Sequence, residues 1–281
     1  MRGSDRPHWS YSAISQYLRC PLQYYFKPIL KLSEPTLSSG LLLGSCVHEA
    51  LAVYHRSLQK GILPTVELVH QAFRNHWDDR EQRSPIEFKA NETRDRLIEQ
   101  GLALLDLYLR EPPPENIVAV EQRLLIPLHT SEGEYLETPL VAIADLVVRE
   151  STGLKVNEFK TSGRNYGEFE VHNSLQATCY VNALWECSGE LAGVEYAVLV
   201  KTKTPKLQRI STTRTEEDLG RLGDLVETIE RAVQRNIFYP VENPLNCSTC
   251  PYRSECREWK PERGREILDR SGIEERGVFS C

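Results

Sequence analysis

A carboxylate and an amine lie two residues apart in the segment Leu154–Gly163, which reads LKVNEFKTSG. Its apolar residues and its Thr-Ser-Gly exit predict a β-strand. Because side chains two residues apart share one face of a strand, Glu158 and Lys160 are predicted to point together. They form either a surface ion pair, whose contribution is below about 1 kcal/mol, or half of an active site.

A second carboxylate, Asp145, lies in the preceding extended segment VAIADLVV. If the turn at residues 150–153 joins the two strands as antiparallel neighbours, Asp145 and Glu158 lie side by side, with Cβ atoms about 5–8 Å apart. Two buried acids this close repel each other and would normally hold a proton. A divalent cation removes that penalty, because hard oxygen ligands and a dication satisfy each other. The alternative is that Asp145 is a turn residue.

Further polar side chains fall on predicted helices. Gln176 and Tyr180, in LQATCY, are four residues apart on one helix face, where they can reach a phosphate or the lysine. His48 follows Gly44 by four residues in GSCVHEA, and a lone helical histidine is typical of a surface or core position. Neither feature is specific by itself.

Cysteines have metal-ligand spacing near the C-terminus, where CSTCPYRSEC contains Cys247, Cys250 and Cys256. In a reducing compartment, three cysteines this close indicate a metal site rather than disulfides. Sulfur ligands suit either Zn²⁺ or an iron–sulfur cluster, and a fourth cysteine completes either one. Cys20, far upstream, is the candidate that would join the two ends of the chain.

The predicted elements begin with helices and continue as strands and helices. Helices are predicted near residues 10–18, 21–26, 41–61, 66–80, 92–110, 174–186 and 215–235, and strands near 117–128, 135–150, 154–162, 193–202 and 207–213. The order is αβββαβ after an all-helical front end. It predicts an α/β fold with a mixed central sheet flanked by helices.

Composition restricts the possible classes of protein. The 281 residues carry a net charge of −6, which argues against non-specific nucleic-acid binding, although the run at residues 201–214 is basic. That run is either a solvated hairpin or a DNA contact. The N-terminus lacks an apolar signal-peptide region, and no apolar stretch approaches the roughly 20 residues of a membrane helix. We therefore expect a cytoplasmic protein.

Taken in chain order, these residues resemble the RecB-like branch of the PD-(D/E)XK nucleases. The closest pattern is the group with a four-cysteine [4Fe–4S] cluster, which includes CRISPR-associated RecB-like exonucleases and the nuclease domain of AddB-type helicase subunits. The matching motifs are SYSAISQYLRCP, GSCVH, IAD, EFK, QATCY and the three C-terminal cysteines, spread over about residues 10 to 257. Two positions depart from the family: Ala142 replaces a frequent glycine and Ala144 replaces the proline of the superfamily name. Neither position supplies a ligand.

The resemblance implies a restriction-endonuclease-like fold in a single nuclease domain over residues 1–281. Its parts would be a helical portion with an N-terminal insertion (10–111), the sheet core (115–240) and a cluster-binding tail (245–260). An iron–sulfur staple would join the two ends through Cys20, Cys247, Cys250 and Cys256.

The resemblance also implies phosphodiester hydrolysis with one or two Mg²⁺ or Mn²⁺ ions. The implied metal ligands are His48, Asp145, Glu158 and the backbone carbonyl of Phe159. Lys160 would position the attacking water, while Gln176 and Tyr180 would hold Lys160 or the scissile strand. The hairpin Lys201–Arg214 would contact DNA, and the aromatic residues 24–26 would either stack on bases or pack around the cluster.

We therefore predict a DNA nuclease that acts on single strands or on ends, in DNA repair, recombination or CRISPR adaptation. Its partners would be DNA and a helicase or a CRISPR integrase, with no membrane. The alternatives are a catalytically inactive iron–sulfur DNA-binding or scaffold protein, and a zinc-stapled protein of unrelated function. Cleavage polarity, exo- or endonuclease mode and oligomeric state stay open.

Overall fold

The computed structural model describes residues 8–260, which form two compact units. The larger unit comprises residues 8–11 and 35–224, and the smaller comprises residues 12–34 and 225–260. The single nuclease domain over residues 1–281 stays a prediction, and its ends, residues 1–7 and 261–281, lie outside the described residues.

Eight strands occur within the described residues, and six of them form one mixed sheet. They are β1 (Trp9–Ser10), β2 (Leu37–Ser38), β3 (Ile86–Glu87), β4 (Ile117–Ile126), β5 (Leu140–Glu150), β6 (Gly153–Ser162), β7 (Gly193–Val200) and β8 (Lys206–Thr212). The sheet order is β1–β5–β6–β7–β8, with β4 paired to β5, and the short β2 and β3 pair separately. The pairing of β6 with β7 is parallel, whereas β4–β5, β5–β6 and β7–β8 are antiparallel.

Ten helices occur among the same residues, before, between and after these strands along the chain. They are α1 (Tyr11–Arg19), α2 (Pro21–Tyr24) with a following π-helical turn (Tyr25–Ile29), α3 (Ser39–Gln59), α4 (Val66–Arg83), α5 (Arg94–Tyr108), α6 (Glu168–His172), α7 (Leu175–Ser188), α8 (Glu216–Gln234), α9 (Pro244–Cys247) and α10 (Arg253–Glu258). Hydroxyl caps begin three of the longer helices: Ser38, Thr65 and Thr93 each accept a hydrogen bond from a backbone N–H three residues on.

One face of the sheet is covered by α3, α4 and α5. Its apolar residues, including Leu146, Val148 and Phe159, pack with the buried stripes of these helices in one hydrophobic core. Because side chains alternate along a strand, Glu158 and Lys160 must point to the opposite face from Phe159. That opposite face carries α7, whose Tyr180 contacts Glu158.

The predicted mixed sheet flanked by helices is confirmed, and the predicted helices and strands are found within a few residues of their expected bounds, except that β5 begins at Leu140 rather than near residue 135. The short elements β1, β2, β3, α6, α9 and α10 were not predicted. They are too brief for a hydrophobic period to show in the sequence. None of the helices among the described residues is both long enough and apolar enough to cross a bilayer.

The smaller unit has a core of its own, formed by Leu22, Phe26 and Tyr252. Cys20, Cys250 and Cys256 pack against it as partly buried residues. Tyr24 and Phe26 are buried, at 0% and 6% exposed. Of the two interpretations of residues 24–26, base stacking is therefore wrong for these two side chains, and packing around a cluster stays a prediction.

Candidate active site

The two carboxylates meet where β5 and β6 separate. Leu146 pairs with Asn157, so Asp145 and Glu158, one residue further along, lie level with each other on the same face. The described backbone pairing ends there, and the N–H of Phe159 instead donates to Asp145 Oδ2 at 2.8 Å. The side chain of Asp145 thus occupies the fork between the strands, and only 8% of the residue is exposed.

Glu158 and Lys160 are joined to α7 in a closed network. Lys160 Nζ donates to Glu158 Oε1 at 2.7 Å and to Gln176 Oε1 at 2.8 Å. Gln176 Nε2 donates to Glu158 Oε1 at 2.8 Å, and Tyr180 OH donates to Glu158 Oε2 at 2.7 Å. From the sequence, Gln176 and Tyr180 had two possible partners, a phosphate or the lysine. In the structure, Gln176 contacts both Lys160 and Glu158, and Tyr180 contacts Glu158.

A second group of ligand atoms lies beside Asp145. His48 Nδ1 is 3.3 Å from Asp145 Oδ1, and ligand atoms of His48, Glu121 and Asp145 all lie within 4.8 Å of one another. A divalent ion with bonds of about 2.1 Å separates neighbouring ligands by about 3 Å and opposite ligands by about 4.2 Å. The group therefore fits one cation. Glu158, which the sequence assigns to the metal, is not a member of the group, because its oxygens face Lys160, Gln176 and Tyr180.

Glu121 is the member of this group that the sequence analysis missed. Val120 pairs with Leu146 and Gln122 with Ala144, so Glu121 lies level with Asp145 on the other neighbour of β5. Its φ of 49° is left-handed, which is rare for a residue other than glycine and is found disproportionately at functional sites. In the sequence Glu121 is only a single acidic residue inside the extended segment IVAVEQRLL. Its position beside Asp145 can be inferred only if the register of β4 on β5 is known.

Proton affinities at the site are set by burial and by neighbouring charge. Burial opposes ionisation of Asp145, but the charge of His48 and the hydrogen bond from Phe159 outweigh it and hold the pKa of Asp145 below its usual value. Burial would likewise lower the pKa of His48, yet the charge of Asp145 and that of Glu158 raise it to about 8. This pair therefore holds one proton between its ring and its carboxylate at neutral pH.

The other two carboxyls hold protons more tightly than usual. Burial, followed by the charge of Asp145, raises the pKa of Glu158 to about 7, and the same two causes raise the pKa of Glu121 to about 7. Burial would lower the pKa of Lys160, but the charge of Glu158 outweighs it, so the pKa of the amine lies above its ordinary value. Lys160 is a cation at neutral pH and serves as a hydrogen-bond donor rather than as a base.

The four cysteines predicted as cluster ligands belong to the smaller unit. Burial raises the pKa of Cys250 and Cys256, and the neighbouring thiols, including Cys20 and Cys247, raise both further. Among residues 8–260, however, no three of their sulfurs lie within 4.8 Å of one another. A single tetrahedral Zn²⁺ with bonds of about 2.3 Å would hold its sulfurs about 3.8 Å apart. The spacing is thus wider than a closed zinc site.

The basic run Lys201–Arg214 does not offer all of its charges to solvent. Arg214 is 7% exposed and donates to hydroxyl and carbonyl oxygens around α7. Arg209 pairs with Glu195 at 2.5 Å. Lys203 and Lys206 are exposed and have the free surface that the predicted DNA contact needs.

Residues 8–257 match the family model described as the PD-(D/E)XK nuclease superfamily. The chain belongs to the PD-(D/E)XK nuclease superfamily. The match spans Asp145 of the aspartate motif and the E-x-K motif at Glu158 and Lys160, together with the four cysteines. A search of curated proteins gave no match.

One solved structure resembles the fold of this PD-(D/E)XK chain at low sequence identity. A protein from Eubacterium rectale, titled "Putative exonuclease", aligns with a TM-score of 0.57 and 15% identity, covering 90% of this chain and 88% of its own. A second structure, titled SSO0001, is 15% identical and covers 87% of this chain and 94% of its own, with a TM-score of 0.33. At such identities the first likeness supports the fold alone, and the second score is too low to support it.

Proposed function

We propose that the protein is a divalent-metal-dependent deoxyribonuclease that hydrolyses phosphodiester bonds on single strands or at DNA ends. The observation that carries this proposal is the fork of β5 and β6. It sets the histidine–carboxylate group around Asp145 directly beside the Glu158–Lys160 pair. A cation site next to a fixed ammonium is what in-line attack on a phosphate requires.

His48, Glu121 and Asp145 are the residues that would hold the cation, which is Mg²⁺ or Mn²⁺. The family resemblance adds Glu158 and the carbonyl of Phe159. Because imidazole nitrogen is a softer ligand than carboxylate oxygen, His48 favours Mn²⁺ over Mg²⁺. When bound, the cation supplies the charge that activates water and offsets the negative charge growing on the phosphate.

The chain's own residues would position the reactants. Lys160 is held by Glu158 and Gln176, so its remaining N–H can donate to the attacking water or to a phosphate oxygen. Tyr180 and Gln176 keep the carboxylate of Glu158 turned toward the lysine. The partial burial of Lys160, with 25% of its side chain exposed, strengthens such a hydrogen bond relative to open water.

We further propose that Cys20, Cys247, Cys250 and Cys256 hold a [4Fe–4S] cluster, as in the RecB-like members of the superfamily. Cys20, Cys250 and Cys256 pack against one apolar core, and the charges of Cys20, Cys247 and Cys250 act on Cys256. In such a cluster each cysteine would bind a different iron atom, so the four sulfurs need not converge on one point as they would around a single zinc ion. The cluster would fasten the structure rather than react with DNA.

The biological setting is proposed from the resemblance alone. The chain would work on DNA ends or single strands in repair, recombination or CRISPR adaptation, beside a helicase or a CRISPR integrase. The exposed lysines of the β7–β8 hairpin support backbone contacts to such a strand.

The test is a cleavage assay with labelled single- and double-stranded DNA in the presence of Mn²⁺ or Mg²⁺. We expect metal-dependent cleavage by the natural sequence and a loss of at least 100-fold in Asp145→Ala and Lys160→Ala. Lys155→Ala is the matched control, because Lys155 lies on the same strand and on the opposite face from Lys160. Cleavage that survives in both active-site variants, or DNA binding without any cleavage, would contradict the proposal and favour a scaffold protein.

A further inference from the structure

Arg214 lies between β8 and α8 with its guanidinium turned inward. All five of its N–H groups are directed at oxygen atoms. Nε donates to Thr178 Oγ1 at 2.8 Å, Nη1 to Thr212 Oγ1 and Thr213 O at 2.7 Å each, and Nη2 to Ser174 O at 2.8 Å and, more weakly, to Val171 O at 3.5 Å. No donor is left for a phosphate.

These oxygens belong to the junction between α6 and α7 and to the end of β8. Val171 lies in α6, Ser174 is the cap residue of α7, and Thr178 lies in its first turn. Ser174 is further fixed by a hydrogen bond of 2.6 Å between its Oγ and Tyr196 OH on β7. Arg214 therefore ties the beginning of α7 to the sheet.

The contacts of α7 fall on two opposite sides of the helix. Ser174 and Thr178, which Arg214 holds, are four residues apart and lie on one side. Gln176 and Tyr180, which hold Glu158 and Lys160, are also four apart, and each is two residues, or about 200°, away from the first pair. A fixed point on one side determines the rotation of the helix, and this rotation decides where Gln176 and Tyr180 point.

The electrostatics of Arg214 do not favour this location. Burial lowers the pKa of Arg214, although the charge of Asp218 opposes that shift. A cation close to a helix N-terminus is also unfavourable, because the helix dipole is positive there. The hydrogen bonds of Arg214 to α6, α7 and β8 offset this electrostatic cost. They depend on the positions of these three elements.

We propose that Arg214 is a positioning residue of the nuclease site. It holds α7 in the rotation that keeps Gln176 and Tyr180 on the Glu158–Lys160 pair. This inference rests on the proposed function, since the pair is taken to be the catalytic one. It also separates Arg214 from the basic residues that were predicted to contact DNA.

The test compares Arg214→Gln with Arg209→Gln, an exposed arginine of the same hairpin that is paired with Glu195. For each protein we would measure kcat with Mn²⁺ well below the melting temperature, and the Kd for single-stranded DNA with Ca²⁺ in place of Mn²⁺. A third readout is the labelling of Lys160 by acetic anhydride, followed by mass spectrometry with the exposed Lys203 as reference.

For Arg214→Gln we expect kcat to fall at least tenfold, Kd to stay within twofold and labelling of Lys160 to rise, because its amine loses Gln176. Arg209→Gln should change none of these. Thr178→Val removes one acceptor at nearly constant volume and should produce a smaller change in the same direction, so it carries the test if Arg214→Gln does not fold.

Two results would overturn the proposal. A weaker Kd with unchanged kcat would make Arg214 a DNA contact, and a lower melting temperature with unchanged kcat and labelling would make it a purely structural residue. If the natural sequence shows no cleavage, the proposed function fails. The labelling comparison then still decides whether Arg214 positions α7.

Discussion

Protons compete with a cation for the lone pairs of the imidazole and the carboxyls around Asp145. The pKa of His48 lies at about 8, and those of Glu121 and Glu158 lie at about 7. A metal binds the deprotonated forms, so its binding must displace whatever protons these groups hold. Proton and metal binding at this site are therefore linked.

The expected consequence is that Mn²⁺ affinity rises with pH. At pH 8 the two carboxyls are largely free of protons and the imidazole of His48 is about half protonated, whereas below pH 7 all three groups are mostly protonated. We expect the Kd for Mn²⁺ to be at least tenfold weaker at pH 6 than at pH 8. Titration calorimetry at pH 7 in two buffers of different ionisation enthalpy should show proton release on binding. An affinity that is constant between pH 6 and pH 8 would refute the linkage.

At the scale of elements, α3 and β6 meet closely where the site is assembled. A Cβ at Gly44 would lie 3.1 Å from Thr161 Oγ1, which is tighter than an ordinary contact. His48 lies one turn further along α3 and Lys160 precedes Thr161 on β6. The glycine thus allows a helix and a strand that both carry site residues to approach each other.

Replacing Gly44 with alanine should push α3 away from β6. The better helix propensity of alanine, about 1 kcal/mol, would offset much of the cost, so the melting temperature should change little. Nuclease activity should fall by about threefold to tenfold, because small displacements of positioned groups are costly. Gly40→Ala is the matched control: it lies in the same helix, and its Cβ would meet its nearest neighbour, Lys201 Nζ, at 3.9 Å. Equal activity in the two variants would count against this role for Gly44.

The long elements and part of the site could be read from the sequence because hydrophobic periodicity and turn residues act locally. The side-by-side placement of Asp145 and Glu158 follows from one tight turn at residues 150–153, which sets the register of β5 on β6. Glu121 could not be read in this way. It reaches Asp145 across the loop between β4 and β5, whose length leaves the register to tertiary packing.

The burial of the Arg214 side chain could not be predicted from the sequence either. A basic run is normally a solvated surface, and nothing local distinguishes the buried arginine from the exposed lysines before it. Only the carbonyls and hydroxyls of the α6–α7 junction make its burial favourable. Such partners come from tertiary structure, which periodicity does not encode.

At the scale of the whole molecule, residues from both ends of the sequence form the smaller unit. Its described core is small, with Leu22, Phe26 and Tyr252 fully or nearly fully buried. A unit with so small a core gains much of its stability from a disulfide or a structural metal site where one is present. The four cysteines of this unit are the candidates for holding such a metal site.

Replacement of Cys250 with serine should therefore yield colourless protein that lacks iron and aggregates or melts more than about 10 °C earlier, because a structural metal contributes directly to folding. Cys187→Ser is the control, since Cys187 is an exposed free thiol of the larger unit. Iron analysis, visible absorbance and thermal melting report the outcome. Zinc in place of iron in the natural protein, or normal stability with the colour intact in Cys250→Ser, would disprove the proposed cluster.

The most direct measurement of the central claim is anomalous diffraction from crystals soaked with Mn²⁺. We expect an anomalous peak at the fork of β5 and β6, within about 2.3 Å of ligand atoms of His48, Glu121 and Asp145. The peak should disappear in Asp145→Ala and persist in Lys155→Ala. A peak elsewhere, or none at a saturating Mn²⁺ concentration, would contradict the account.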